Sequence, residues 1–227
     1  MDDINDALQR LSEFASAREL SARIADLEHD LSRRTLEDAQ LVLATQGIDS
    51  DLMQAALDVK KMSGQINVVV HAVGILVSLP YILNPAERIE SLSLGAGNTG
   101  RLHDLETNQR IAEFKFIKWK GGAESIRQNG VFVDLFNLAS TSTDRKKCLY
   151  VVGKEHPMRF LNGGRSLSSV LSKNASVAER FDEAHGDTFT VVRDYWFSIR
   201  DEVELVDLRE LVPAFRTTNS SDQGLEW

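Results

Sequence analysis

The chain has 227 residues, of which 42% are hydrophobic and 26% charged. These are ordinary globular values, and the length suits one core with appendages. Acids outnumber lysine plus arginine 34 to 26, a net charge of −8, which excludes a protein coating itself with nucleic acid over its whole surface.

The charge is unevenly spread. Residues 1–60 carry −7, residues 61–99 balance, residues 100–173 carry +6 and residues 174–227 carry −7. A polyanion is therefore expected on the third of these segments. Cys148 is the single cysteine. It leaves no internal disulfide, suits a reducing compartment and reads as a small buried apolar residue. The N-terminal Met-Asp-Asp-Ile-Asn-Asp lacks a basic or apolar signal region, so a cytoplasmic location is expected.

Residues 1–62 read as an acidic helical arm. Helical spacing runs through Ile4, Leu8, Leu11, Phe14, Leu20, Ile24 and Leu27, then Leu36 to Thr45, then Asp51 to Met62. Its apolar stripe makes a homodimer contact the expectation. After Ser63-Gly64, the apolar run from Val68 to Leu83 is broken by His71, Gly74, Ser78 and Pro80. It is shorter than the roughly 20 residues of a spanning helix, so it reads as a buried core helix and not a membrane segment. His71 within it reads as a hydrogen-bonded core histidine.

Arg88 to Leu94 alternates as a first strand. Gly95-Ala-Gly-Asn-Thr-Gly100 lacks the lysine and Ser/Thr that end a phosphate-cradling loop, so it reads as a tight connector. Two alternating runs follow, Arg101 to Thr107 and Arg110 to Ile117, with a turn at Asn108-Gln109. Such a turn sets Asp104 opposite Glu113 and Glu106 opposite Ile111. Glu113 and Lys115 share one face, while Phe114 and Phe116 point to the other. Directly opposed like charges destabilise a sheet, and a divalent cation between the two carboxylates is the simplest reason for them.

The helix from Ala123 to about Ala139 carries an apolar stripe of Phe132, Leu135, Phe136 and Ala139, with Gln128 one turn before Phe132. Lys146 to Val152 reads as a fourth strand, Ser166–Lys173 and Ala175–His185 as helices, and Thr188–Val192 and Val203–Asp207 as further strands. Tyr195-Trp-Phe197 reads as strand core, and the tail from Thr217 as a polar end. The expected fold is α/β (α+β), a mixed central sheet flanked by helices. Its parts are an arm (1–62), a core (63–175) and a C-terminal extension (176–227).

Asp104, the Glu113-Phe114-Lys115 triplet and the following helix with Gln128 resemble the PD-(D/E)xK, restriction-endonuclease-like nuclease superfamily. The resemblance covers residues 66–152. His103 stands where the motif has proline, and the preceding helix has no acid to add a metal ligand. The resemblance implies a nuclease dependent on Mg²⁺ or Mn²⁺, with DNA the expected substrate. Asp104, Glu113 and the Phe114 carbonyl would ligate the metal, and Glu106 is a candidate for a second one. Lys115 would orient or deprotonate the attacking water, and Gln128 would contact water or phosphate. Lys118, Lys120, Arg127, Arg145, Lys146 and Lys147 are the expected nucleic-acid contacts. The alternatives are a nuclease-like module that binds without cutting, and a helical interaction protein working through its arm.

Overall fold

The computed structural model describes residues 2–16, 20–95, 100–116, 119 and 124–216. The helices are α1 (Asp2–Ser16), α2 (Leu20–Leu31), α3 (Leu36–Thr45), α4 (Ser50–Ile82), α5 (Ser125–Ser140), α6 (Glu155–Leu161), α7 (Leu167–Leu171), α8 (Ala175–His185), α9 (Val192–Ile199) and α10 (Leu208–Leu211). The strands are β1 (Ile89–Leu92), β2 (Leu105–Thr107), β3 (Arg110–Lys115), β4 (Lys146–Val151) and β5 (Val203–Asp207).

The chain divides into two compact units, residues 1–67 and 68–227. In the first unit, Thr35 caps α3 by accepting from the Asp38 amide, and Asp49 caps α4 through the Leu52 amide. Arg23 lies over the Phe14 ring at 4.4 Å, a cation–π contact between α2 and α1. The helix break expected at Ser63-Gly64 does not occur. One helix continues from Ser50 to Ile82, because neither residue removes a backbone hydrogen bond.

The second unit is an α+β structure around an open five-stranded sheet in the order β1-β2-β3-β4-β5. The β1–β2 and β2–β3 pairs are antiparallel, and the β3–β4 and β4–β5 pairs are parallel. A parallel neighbour needs a crossover, and α5 provides it between β3 and β4. From the expected C-terminal extension, β5 completes the same sheet. Val192 to Ile199 is helical where a strand was expected at its start, and Tyr195 and Trp196 are buried in α9.

Alternation along the central strands divides their side chains between two cores. Ile111, Leu149, Val151 and Val203 join Phe132, Leu135 and Phe136 of α5 on one face. Leu105, Ala112, Phe114, Cys148 and Tyr150 meet Ile75 and Ile82 of α4 on the other. Cys148 is buried there, as its type suggests. A Cβ on Gly74 would lie 2.6 Å from the Phe116 ring, so glycine is what lets α4 approach this side chain.

The expectation that α4 is enclosed on most sides is not met. Ile75 and Ser78 are fully buried, but Val69, Val73 and Tyr81 are about half exposed. By length and composition α4 is long and apolar enough to cross a membrane, and 22% of its most apolar window is buried.

The start of β3 is pinned by a buried ion pair. Glu87 receives Arg110 Nε and Nη2, both at 2.6 Å, and the Thr107 hydroxyl at 2.6 Å. Arg110 Nη1 also donates to Tyr150 at 2.8 Å. The Glu87 side chain is fully buried, so removing one partner strands the other charge. Glu87→Ala is expected to lose about 3–5 kcal/mol in urea unfolding. Replacing both partners with apolar residues, as in Glu87→Leu with Arg110→Met, should recover most of it.

Candidate functional site

The hairpin register places the acids. Leu105 pairs with Ala112 and Glu106 with Ile111, so Asp104 comes opposite Glu113 as the alternation predicts. Asp104 is held from two sides by the backbone: its carbonyl accepts from Ser93 N–H at 2.8 Å, and its Oδ2 accepts from Phe114 N–H at 3.0 Å. The turn is fixed by Thr107, whose hydroxyl oxygen accepts the amides of Gln109 (3.0 Å) and Arg110 (2.8 Å).

Each acid has a histidine beside it. His71 Nε2, from α4, lies 3.3 Å from Asp104 Oδ1. That nitrogen is buried and makes no aligned hydrogen bond. His103 Nδ1 lies 3.2 Å from Glu113 Oε1, and its Nε2 lies 3.1 Å from the Thr141 hydroxyl. His103 thus has both nitrogens engaged, and His71 does not. Neither role was legible in sequence: one residue sat inside an apolar run, the other at the motif's variable proline.

A third acid completes the group. Asp134, on α5, places Oδ2 2.6 Å from Lys115 Nζ. Burial, helped by the neighbouring Asp134 and Asp104 carboxylates, pushes the Glu113 carboxyl up to about 10. Burial likewise raises Asp134, against the pull of Lys115. Burial alone would raise Asp104, but His71 and the Phe114 amide outweigh it and hold Asp104 below its usual range. Burial would lower Lys115, yet Asp134 and Glu113 raise it, so its ammonium is retained at neutral pH.

Several expected residues lie elsewhere. Gln128 accepts from Arg165 and not from the Lys115 end, because the Phe132 and Phe136 side of α5 faces Phe181 and Tyr195. From α5 it is Asp134 that pairs with Lys115, and Gly130 lines the cavity beside it. Glu106 is 3.5 Å from Arg145, which also reaches Glu90 at 3.2 Å and the Thr107 carbonyl at 2.8 Å. That engagement accounts for both Glu106 and Arg145 without a second metal or a phosphate. Lys147 donates to the Ala139 carbonyl at 2.9 Å.

Arg145, Lys146 and Lys147 also sit at the wrong end of the sheet. Arg110 is level with Lys146 and Lys115 with Val151, so the run lies five residues, roughly 16 Å, down the strands from Lys115. Arg127 pairs with Glu124 at 2.6 Å and lines a cavity with Lys115. Phe114 buries its ring against Tyr150, centroids 4.9 Å apart. Lys118 and Lys120, together with residues 96–99 of the glycine connector and the tail from Thr217, lie outside the described residues.

The cavity beside Lys115 has a volume of about 220 Å³ and is walled by Trp119, Gly130, Val131 and Gly153. Among the described residues no three His, Cys, Asp or Glu side chains converge as a ready metal-ligating cluster. The facing carboxylates do fit a hard divalent cation, since Mg²⁺ is commonly bound by one or two carboxylates with water and phosphate oxygens completing its shell. His71 Nε2, buried without a hydrogen-bond partner 3.3 Å from Asp104 Oδ1, is the matching observation.

The fold and site thus define an α+β protein with a mixed open sheet and a polar centre at the hairpin. Compared with protein-family models, characterised proteins and solved structures, the chain matches none.

The Glu113 carboxyl sets a pH dependence. Its folded value lies above the ordinary 4.5, so the folded protein holds a proton that the unfolded chain releases. The stability contributed is present below pH 4.5 and drains away as pH rises toward about 10. In EDTA, Glu113→Gln should therefore melt higher than the parent protein at pH 8–9, and the two should converge near pH 5.

Proposed function

We propose that the protein is a divalent-metal-dependent nuclease that hydrolyses phosphodiester bonds, with DNA as substrate. The observation that carries the reading is the hairpin register, which opposes Asp104 to Glu113 and leaves Lys115 next on the same face. A family likeness by motif supports it.

Asp104 and Glu113 would hold the cation, together with the Phe114 carbonyl. His71 Nε2, buried without a hydrogen-bond partner beside Asp104, would add a nitrogen donor. The cation would supply Lewis-acid relief of the charge that develops on the phosphate and leaving oxygens. Lys115, kept charged by Asp134, donates a hydrogen bond to the phosphate or attacking water; its raised affinity for the proton argues against a role as general base. His103 orients the Glu113 carboxylate from behind, and the Phe114 amide does the same for Asp104. Because Glu113 must give up its proton to ligate, cation affinity should climb with pH.

The ion pair of Lys115 with Asp134 also suits a second reading, a module that binds nucleic acid without cutting. Plasmid cleavage separates the two. With Mg²⁺ or Mn²⁺ the protein should nick or linearise plasmid DNA, and Glu113→Gln should remove both cleavage and the metal-induced rise in melting temperature. Lys115→Ala should keep that rise and lose cleavage. Wild-type cutting by Glu113→Gln would place the active centre elsewhere.

His71 gives a further outcome. Mg²⁺ is a hard cation that takes oxygen ligands, whereas the softer Mn²⁺ also accepts an imidazole nitrogen. His71→Ala should therefore weaken Mn²⁺ binding by calorimetry about tenfold or more while changing Mg²⁺ binding less. Equal losses for both metals would remove His71 from the donor set.

A further inference from the structure

Beside the Lys115 cavity lies a second hollow of about 240 Å³, and Trp119 lines both. Among the described residues its polar lining consists of Gln128, His156, Arg159 and Arg165, with no acid. Gln128 and Arg165 bond across it, Arg165 coming from the loop after α6 and also reaching the Ser169 hydroxyl at 3.4 Å. The pair fixes one guanidinium at the wall. Arg159 is exposed and makes no ion pair among the described residues, so its charge is free for a ligand. The cations of the N-terminal end of β4 contrast with this, since Arg145 and Lys147 are spent on partners within the chain.

We propose that this cleft binds the phosphodiester backbone of a nucleic-acid strand, one step along from the phosphate at Lys115. The inference rests on the nuclease reading and deepens it by naming the strand-binding surface. Charge complementarity selects the occupant: one fixed and one free guanidinium with an imidazole suit successive phosphates, and guanidinium forks match phosphate oxygens. The hollow's size suits a single backbone and not a duplex. Gly163 in its lining leaves little room for a side chain, since a Cβ there would stand 3.0 Å from the Phe160 carbonyl oxygen and force a local shift.

The test is fluorescence anisotropy with a labelled single-stranded oligonucleotide, on full-length Glu113→Gln protein in EDTA, over a range of salt. Binding is read there without cleavage or metal. Adding Arg159→Glu should weaken affinity about tenfold or more and reduce the salt slope by about one. Arg159→Lys should restore most of the affinity. Lys146→Glu, an equal change at the far end of the strands, should leave binding as it was.

Unchanged affinity in Arg159→Glu, an equal loss in Lys146→Glu, or no oligonucleotide binding by the parent would each overturn the cleft assignment. Plasmid cleavage by the wild-type protein judges the nuclease reading separately. Arg159 is exposed and makes no ion pair among the described residues, so the variant's melting temperature should not move, and a drop would be met by repeating the comparison with Arg159→Gln.

Discussion

Two carboxylates that repel each other are held face to face by a hairpin with no freedom to slip. A one-residue slip in β2–β3 would send Leu105, Ala112 and Phe114 out of one core and Ile111 out of the other, and both cores resist it. The Thr107 bonds at the turn and the Glu87–Arg110 pair below it lock the same register. The repulsion between Asp104 and Glu113 is small beside that combined packing. It is relieved by keeping a proton on Glu113 and by stationing a histidine near each acid.

The hairpin was legible because a period of two and a turn dipeptide determine which residues oppose, whatever surrounds them. Leu36 to Thr45, the helix after Glu124 and the strand at Lys146 were legible for similar local reasons. Asp134 was not. Helix α5 is covered on more than one side, and the apolar stripe through Phe132 and Phe136 marks the side toward α8 and α9, which drew attention to Gln128. His71 was hidden for a related reason. Only the docking of α4 through Gly74 onto Phe116 carries a residue distant in sequence up to Asp104.

Net charge located the basic segment but not which of its cations are tied up within the chain. Composition counts Arg145 and Arg159 alike. One of them is tied to Glu90 and Glu106, and the other has no ion-pair partner among the described residues, a distinction that depends on Arg145 reaching past β3 to acids of β1 and β2. The α4 helix taught the reverse lesson. Gly64 looked like a stop, yet a single glycine costs a helix only about 1 kcal/mol, and long helices run through it.

The parallel pairing of β3 with β4 has a consequence for a chain emerging from the ribosome. The opposed acids are local: residues 104 to 115 can pair as soon as they are made. The wall behind them is not, because β4 joins only after α5 has crossed the sheet, and β5 follows more than 50 residues later. Asp207 at the end of β5 then fastens the Gly153 and Lys154 amides at the cavity rim, both at 3.1 Å. The site is therefore completed in order of sequence distance, acids first and enclosure last. A product that ends before residue 207 would carry the charged hairpin without the strand that fastens the cavity wall beside Lys115.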